Sequence, residues 1–219
     1  QQIGLPILTI LTFLPIVGAV ALWLFQKDED LIRKSALAVA GLELFISVLL
    51  MWNFTPNSAQ IQFSERADWI PAIGVGYHMG VDGINVLFIP LTAFLIFLIM
   101  VYSWDTERNL LKPYLMALLG LEGTIVGVFA SLDLILFFFF WELMLVPSYF
   151  LIKLWGTGPN RQYAALKYVL YTLTGSVLML VGMVLLNLNY QKRKRKRKRS
   201  KEKEKERCDF HGNLLRCQL

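Results

Sequence analysis

The segment Leu132–Leu154 (LDLILFFFFWELMLVPSYFLIKL) is the feature that most restricts how this chain folds. Apart from one charged residue near each end and Glu142 near its middle, the segment is apolar or weakly polar. A run of about 20 apolar residues is the length of a helix that crosses a bilayer. The segment therefore predicts a transmembrane helix with a carboxylate near its centre.

Five other segments have similar length and apolar character between charged or Pro- and Gly-rich stretches. Hydrophobic residues make up 56% of the 219 residues, and the mean hydropathy is +0.51, which excludes an ordinary soluble domain. We therefore predict an all-α polytopic transmembrane helical bundle of about six spans. The other five spans are Ile3–Phe25, Leu31–Phe54, Asp82–Trp104, Pro113–Ala130 and Tyr163–Leu188.

A short turn separates the fourth and fifth spans, with Ser131 or Asp133 available to cap the next helix. Such a short connection predicts antiparallel packing of the two helices. If the connections alternate sides, Arg66 is the one basic loop residue on its side, and by the positive-inside rule the Thr55–Val81 loop faces outward. The basic residues on the inner side are Lys27, Arg33, Lys34, Arg108, Lys112, Lys153 and Arg161.

The last part of the sequence differs from the rest. After Gln191 the chain continues as KRKRKRKRSKEKEKER, on the side where basic residues are hard to translocate. Taken as native, this stretch would be a disordered tail that binds anionic lipid or nucleic acid, although no aromatic residues are interleaved to stack on bases. We favour foreign sequence joined after about Asn189 by a frameshift or gene truncation. The predicted division is a membrane region, 1–189, and a non-native or disordered tail, 190–219.

The membrane region lacks the residues that most redox centres need. Cys208 and Cys217, the two cysteines, lie in the tail, which excludes an iron–sulfur cluster or disulfide framework in the membrane region. Only His78 precedes the tail, which excludes a haem held by two histidines. No dinucleotide or nucleotide-phosphate motif is present in a suitable context. We expect this chain to bind no cofactor, no metal and no nucleic acid.

The ionisable residues inside the spans are the candidate functional residues. An acidic residue at the centre of a membrane helix costs about 2.5–3.5 kcal/mol on insertion scales and usually binds an ion or relays a proton. Alternatively, Glu142 lies in a water-filled crevice or is a neutral acid bonded to a neighbouring helix. Glu122 lies at similar depth in the preceding span. Two carboxylates that approach closely do not both ionise easily, so the pair predicts a proton site.

Three further residues in the spans bear on this proton site. Lys167 lies about one turn into its helix, where it either snorkels to the interface or faces Glu142 and biases its charge. Pro147 removes a helical amide from the carbonyl of Leu143, which predicts a kink or a hydrated weak point beside the acid. Glu43 is deep in the second span, but the sequence names no partner for it.

The segment LDLILFFFFWELMLVPSYFLIKLWG and the following RQYAALKYVLYTLTGSVLML resemble the antiporter-like subunit 4 family of complex I. The upstream MGVDGINVLFIPLTAFL and LGLEGTIVGVFASLDL are similar to that family as well. The resemblance covers roughly Leu5–Leu188 and is to the cyanobacterial or plastid NAD(P)H-quinone oxidoreductase type. WELMLVP, with its acid and proline, is its most specific motif.

The resemblance implies a membrane subunit of a proton-translocating NAD(P)H-quinone oxidoreductase, with the fold of the N-terminal part of a fourteen-helix antiporter-like subunit. It implies that Glu142 is the central acid of the proton channel, that Lys167 is the lysine of the sixth helix, and that Glu122 is an accessory acid. NAD(P)H, FMN, iron–sulfur clusters and plastoquinone would be bound by partner subunits. The implied setting is a thylakoid membrane or, alternatively, a bacterial inner membrane.

This sequence departs from the family pattern because it has six spans, without the seventh, eighth and twelfth helices whose lysines carry the proton onward. The resemblance therefore implies a family member truncated after the sixth helix. Two other functions stay open. One is a cation/proton antiporter subunit, since antiporters share these helices and the buried Glu, and the other is a truncated, non-functional remnant.

Overall fold

The computed structural model of the protein describes residues 6–25, 28–56, 60–70, 75–104 and 110–216. Within these residues it contains seven helices and one two-stranded antiparallel sheet. In chain order the elements are α1 (Ile7–Phe25), α2 (Glu29–Trp52), β1 (Gln62–Ile70), β2 (Val75–Val81), α3 (Asn85–Tyr102), α4 (Leu111–Ala130), α5 (Leu134–Leu143), α6 (Leu145–Trp155) and α7 (Arg161–Arg216).

The prediction of six membrane spans is confirmed for the described residues. The segments long and apolar enough to cross a bilayer are Ile7–Leu24, Glu29–Trp52, Asn85–Tyr102, Leu111–Ala130, Leu134–Trp155 and Arg161–Arg197. The first predicted span begins at Ile3, and its first three residues, 3–5, lie outside the described residues. Large apolar side chains remain exposed on these helices, among them Trp23 at 63% and Phe45 at 61%. Such surfaces are expected where helices meet lipid.

Helices α1 to α4 form an antiparallel bundle. Each helix packs against the next in the chain, α4 packs back against α1, and α2 also contacts α4 across the bundle. One cluster of buried residues joins the start of α1, the end of α2, the start of α3 and the end of α4: Leu8, Leu11, Leu50, Val86, Ile89, Val126 and Ala130. A second cluster joins the opposite ends of the same helices: Ala19, Leu22, Ile32, Ala36, Ile96, Met100, Leu111 and Leu115.

A β-hairpin covers the end of the bundle where α1 begins, and we call this end the hairpin end. Its strands β1 and β2 pair antiparallel, with Arg66 opposite His78. Met79 and Val81 are fully buried in the cluster at the hairpin end, and Met79 also pairs with Ser131 in an isolated bridge. The predicted loop from Thr55 to Val81 therefore contains two strands. The alternation of Tyr77, Met79 and Val81 is typical of a strand with one buried face.

The hairpin also caps α1. The Glu65 carboxylate accepts hydrogen bonds from the backbone amides of Leu8 at 2.7 Å and Thr9 at 3.1 Å, and from the Thr9 hydroxyl. The Tyr77 hydroxyl lies 2.8 Å from the Thr9 hydroxyl and donates to the Met79 sulfur at 2.9 Å. A carboxylate at a helix N-terminus satisfies amides that have no partner inside the helix and complements the helix dipole. Glu65 therefore ties β1 to α1.

Replacing Glu65 by Ala is expected to destabilise the start of α1 by about 0.5–2 kcal/mol, the usual cost of losing a helix cap. Hydrogen exchange at the Leu8 and Thr9 amides should accelerate, by about 5- to 30-fold for a loss of 1–2 kcal/mol. Ser64→Ala is the matched control, since Ser64 is its exposed neighbour and its hydroxyl contacts His78 instead. Equal protection of these amides in both variants would contradict the capping role.

The turn between α4 and α5 is capped as the sequence predicts. Asp133 precedes α5 in an extended conformation, and its Oδ1 atom accepts hydrogen bonds from the amides of Ile135 at 2.9 Å and Leu136 at 3.3 Å. The amide of Leu132 donates to the carbonyl of His78 at 2.9 Å, which ties the turn to β2. The turn at the hairpin end is therefore held by the Asp133 cap of α5 and by the hydrogen bond to β2.

The chain divides into two compact units, Gln1–Leu173 and Thr174–Leu219. The first holds the bundle, the hairpin, α5, α6 and the beginning of α7. The second consists of the rest of α7, which continues as helix to Arg216 through the basic stretch predicted as a non-native or disordered tail. Residues 217–219, with Cys217, lie outside the described residues. The origin of this stretch stays a prediction.

Candidate functional site: buried carboxyl groups of the membrane helices

Glu122 lies in the middle of α4 and is fully buried. Neither of its carboxyl oxygens has a hydrogen-bond partner among the described residues. The following residue, Gly123, packs so tightly that a Cβ atom there would lie 2.6 Å from the carbonyl oxygen of Thr12 in α1. One turn later, a Cβ atom on Gly127 would lie 2.5 Å from the Phe140 ring of α5. Glycines therefore allow two neighbouring helices to approach α4 beside the acid.

The structure brings Glu122 together with Glu43 of α2. Glu43 is also fully buried, and both of its carboxyl oxygens lack a hydrogen-bond partner among the described residues. The two carboxyl groups are close enough for the charge of Glu43 to act on Glu122. Glu43 lies nine residues before Trp52 and Glu122 eight residues before Ala130, so both lie about 12–14 Å from helix ends that meet at the hairpin end.

The sequence analysis finds both acids but does not pair them. Their equal distance from the ends of α2 and α4 is visible in the sequence. What the sequence does not contain is the contact of α2 with α4 across the bundle, which the structure supplies.

Glu142 lies near the end of α5 and is partly buried. Its Oε1 atom is buried and has no hydrogen-bond partner among the described residues. Glu142 follows Asp133 by nine residues and Glu122 precedes Ser131 by nine, so the two acids lie at similar depth, about 13 Å from the turn. They share no hydrogen bond, since both Glu122 oxygens lack a partner in the described part of the chain.

The helix that carries Glu142 changes its hydrogen-bonding pattern two residues later, at Met144, although the φ and ψ angles of Met144 remain helical. α5 ends at Leu143 and α6 begins at Leu145, with Met144 between them. The Met144 carbonyl accepts hydrogen bonds from the Ser148 hydroxyl at 2.9 Å and the Ser148 amide at 3.4 Å. The junction of α5 and α6 adjoins the carbonyl of Leu143, the group that the sequence analysis expects Pro147 to deprive of its helical donor.

An open cavity of about 390 Å³ adjoins this junction. Its walls come from α1, α4, α5 and α6, and Thr124 is the one hydroxyl residue among otherwise apolar side chains and glycine. The residues that line it are Ile16, Pro113, Met116, Ala117, Gly120, Thr124, Leu143, Val146, Pro147, Phe150, Leu154 and Trp155. Its walls give a polar ligand few groups to bind.

Lys167 lies in the second turn of α7 and is exposed. Its ammonium group lies over two aromatic rings of the same helix, 6.0 Å from the centre of Tyr163 and 5.7 Å from that of Tyr171. Cation–π contacts of this kind stabilise an exposed ammonium by about 0.5–1 kcal/mol. Lys167 and Glu142 form no hydrogen bond or ion pair within the described residues. This position of the ammonium group resembles the predicted alternative in which Lys167 snorkels to the membrane interface.

His78 lies in β2 at the hairpin end. Burial and the nearby Arg66 lower the pKa of His78 below its ordinary value of 6.5, whereas the charge of Asp133 acts in the opposite direction. Its Nε2 atom lies 3.1 Å from the Ser64 hydroxyl. His78 is therefore neutral at pH 7 and joins the two strands rather than the buried acids.

Comparison with known proteins identifies relatives of this chain. The family model described as "NADH:quinone oxidoreductase/Mrp antiporter, TM" matches residues 131–193, which include Glu142, Pro147 and Lys167. NADH-quinone oxidoreductase subunit M of Rickettsia prowazekii is 39% identical over 187 residues, which are 84% of this chain and 38% of the relative. NAD(P)H-quinone oxidoreductase chain 4 2 of Thermosynechococcus vestitus is 40% identical over 185 residues, which are 83% of this chain and 34% of the relative.

A solved structure has the same helical arrangement. A chain of the structure "Respiratory complex I from Thermus thermophilus with bound NADH" superimposes with a TM-score of 0.66 and 28% identity. The superposition covers 80% of this chain and 34% of that chain. Together with the six apolar helices, the matches establish an integral membrane protein. The homologues of this chain are therefore antiporter-like membrane subunits of the NADH-quinone oxidoreductase M or chain 4 type, of which it spans little more than a third.

Proposed function

We propose that this chain is a membrane subunit of a proton-translocating NAD(P)H-quinone oxidoreductase, in which Glu142 is the central proton-transfer group. The observation that carries the proposal is a carboxyl oxygen of Glu142 that is buried without a partner among the described residues, beside the junction of α5 and α6. Ionisable residues at membrane depth are costly and usually mark ion or proton pathways. The sequence match to the family model over residues 131–193 supports the same role.

In this proposal the junction of α5 and α6 at Met144 gives Glu142 a route for proton exchange. Backbone groups freed at a break inside the membrane are satisfied by side chains or ordered water. Ser148 bonds the Met144 carbonyl, and Pro147 has no amide to donate to the neighbouring Leu143 carbonyl, which would then be open to water. Water at this point would connect Glu142 to the cavity lined by Leu143 and Pro147. In this proposal Glu122 acts as an accessory acid, and Lys167 biases the charge of Glu142 when the helices rearrange.

The redox chemistry in this proposal belongs to other subunits. NAD(P)H, FMN, iron–sulfur clusters and plastoquinone would be bound by membrane and peripheral partners, and this chain would couple their electron transfer to proton movement. The similarity to a cyanobacterial chain 4 favours a thylakoid membrane, and the bacterial subunit M relatives favour a bacterial inner membrane as the alternative. Because the chain spans 34–38% of these relatives, their full activity is part of the proposal.

A cation/proton antiporter subunit is the second candidate. The matching family model covers Mrp antiporters as well as quinone oxidoreductases, so the buried acids alone do not separate the two. A transporter of this kind would use Glu142 in the same way, but its partners would be other antiporter subunits and its activity would need no electron donor.

Affinity purification of the tagged 219-residue chain from mildly solubilised membranes separates these functions. We expect quinone-oxidoreductase subunits to be recovered with the chain, since the apolar faces of its helices are exposed and available to partner helices. An unrelated six-span membrane protein with the same tag is the control. Recovery of antiporter subunits instead would support the second candidate. Recovery of neither set would favour the non-functional remnant.

A further inference from the structure

We propose that Glu43 and Glu122 form a second proton-binding site inside the α1–α4 bundle, in which the two carboxyl groups share a proton. The site is separate from Glu142. Its existence does not depend on the proposed function, but a role for its proton in transport does. The proton forms an O–H bond on one carboxyl group and can occupy either of the two, so the pair holds one proton and one negative charge.

The first support is the position of the two acids. α2 and α4 run in the same direction and meet across the bundle, and their two carboxyl groups lie at nearly the same depth. The charge of Glu43 acts on Glu122, so the groups are electrostatic neighbours. This pairing joins two helices that are separated in the chain by β1, β2 and α3.

The second and independent support is the state of the carboxyl oxygens. Both side chains are fully buried, and none of their four oxygens has a hydrogen-bond partner among the described residues. An ionised carboxylate buried without a partner is far more costly than a neutral acid that is hydrogen-bonded. A proton held by the pair neutralises one of the two carboxyl groups and so removes one buried negative charge.

The charges around the pair favour uptake of a proton over an ion pair. α1 and α3 contain no Asp, Glu, Lys, Arg or His. Of the two further helices that pack against α4, α5 contributes Glu142, a further acid, and α6 contributes Lys153 in its last turn, eleven residues beyond Glu142. The cations of α2 and α4 lie near the opposite end of the bundle, about 14–15 Å along the helices. Two of them are engaged there, since Arg33 donates to the Trp104 carbonyl and Lys112 to the Trp23 carbonyl.

The remaining polar groups favour a proton over a metal cation. Each of the four helices buries one Ser or Thr side chain, whose hydroxyl donates to a carbonyl of its own helix: Thr12, Ser47, Thr92 and Thr124. Hard cations such as Ca²⁺ and Mg²⁺ take six or more oxygen ligands in proteins. The pair itself offers four carboxyl oxygens, whereas a proton needs only one.

Infrared spectroscopy of the full chain in lipid nanodiscs tests this proposal through the C=O stretch of protonated carboxyl groups. We expect a band at pH 7 that shifts in D₂O, persists in Glu142→Gln and disappears in the double variant Glu43→Gln and Glu122→Gln. The two single variants should not add to the spectrum of the double variant, because removing one carboxyl group removes the charge that acts on the other. Glutamine has the shape of the protonated acid, and circular dichroism of each variant checks its helix content.

A band that survives in the double variant, or single-variant spectra that add, would overturn the proposal. So would absence of the band together with thermal stabilisation by sodium that depends on Glu43 and Glu122, since the pair would then be a cation site. If the double variant does not fold, the two single variants provide the test, because each keeps one buried carboxyl group and its C=O band. The measurement needs no partner subunit, so loss of transport in Glu142→Gln with an intact band leaves this site standing.

Discussion

Replacing Glu142 by Gln is expected to lower electron-transfer-driven proton transport by about 10²-fold or more, the contribution typical of a positioned proton-transfer group. Glutamine keeps the size of the side chain but does not take up and release a proton. The amide of glutamine is uncharged, so it adds no charge at the position where the Oε1 atom of Glu142 is buried without a partner among the described residues. The loss should therefore affect proton transfer and leave folding intact.

The measurement uses membrane vesicles that contain the assembled complex with the substitution at this position. Proton uptake is followed with a pH-sensitive dye after addition of the electron donor, and quinone reduction is measured in the same vesicles. Glu29→Gln is the control, since Glu29 is an exposed acid in the first turn of α2. Unchanged uptake in the Glu142 variant would exclude this residue as an obligatory carrier. Lys167→Met should reduce uptake less, since its ammonium lies over Tyr163 and Tyr171.

The spans could be predicted because the hydrocarbon core imposes one length on every helix that crosses it. The predicted turn at Asp133 was equally local, since an Asp directly before an apolar run is a helix cap. The position of Glu142 along its helix followed from counting residues. Each of these features depends on a single stretch of sequence, so no knowledge of neighbouring helices was needed.

The lateral arrangement could not be predicted in the same way. In water, an apolar stripe shows which helix face is buried, but α3 and α5 are apolar on nearly all sides. Nothing in the sequence of α4 itself directs Glu122 toward Glu43 rather than Glu142. The hairpin was missed for another reason. Its buried residues, Met79 and Val81, pack on helix ends that are distant in sequence, and a short alternating pattern does not reveal such contacts.

Small residues decide how closely the helices approach, and Gly123→Ala tests this directly. In lipid, helices associate through close packing and hydrogen bonds, since lipid tails are as apolar as the side chains. A methyl group at position 123 would lie 2.6 Å from the Thr12 carbonyl oxygen, which is backbone and cannot rotate away. We expect the free energy of unfolding to fall by about 1–3 kcal/mol, the range for overpacked sites.

Gly120→Ala is the matched control, one turn earlier in α4, where an added Cβ atom meets nothing within 4 Å. It should stabilise the chain by up to about 1 kcal/mol, because alanine favours the helix more than glycine does. Both variants are compared by reversible unfolding of the full chain in mixed detergent micelles. Opposite signs for two identical substitutions would isolate the contact between α1 and α4 from helix propensity. Equal stabilisation would mean that α1 does not press against Gly123, and the position of Glu122 in the bundle would then need another explanation.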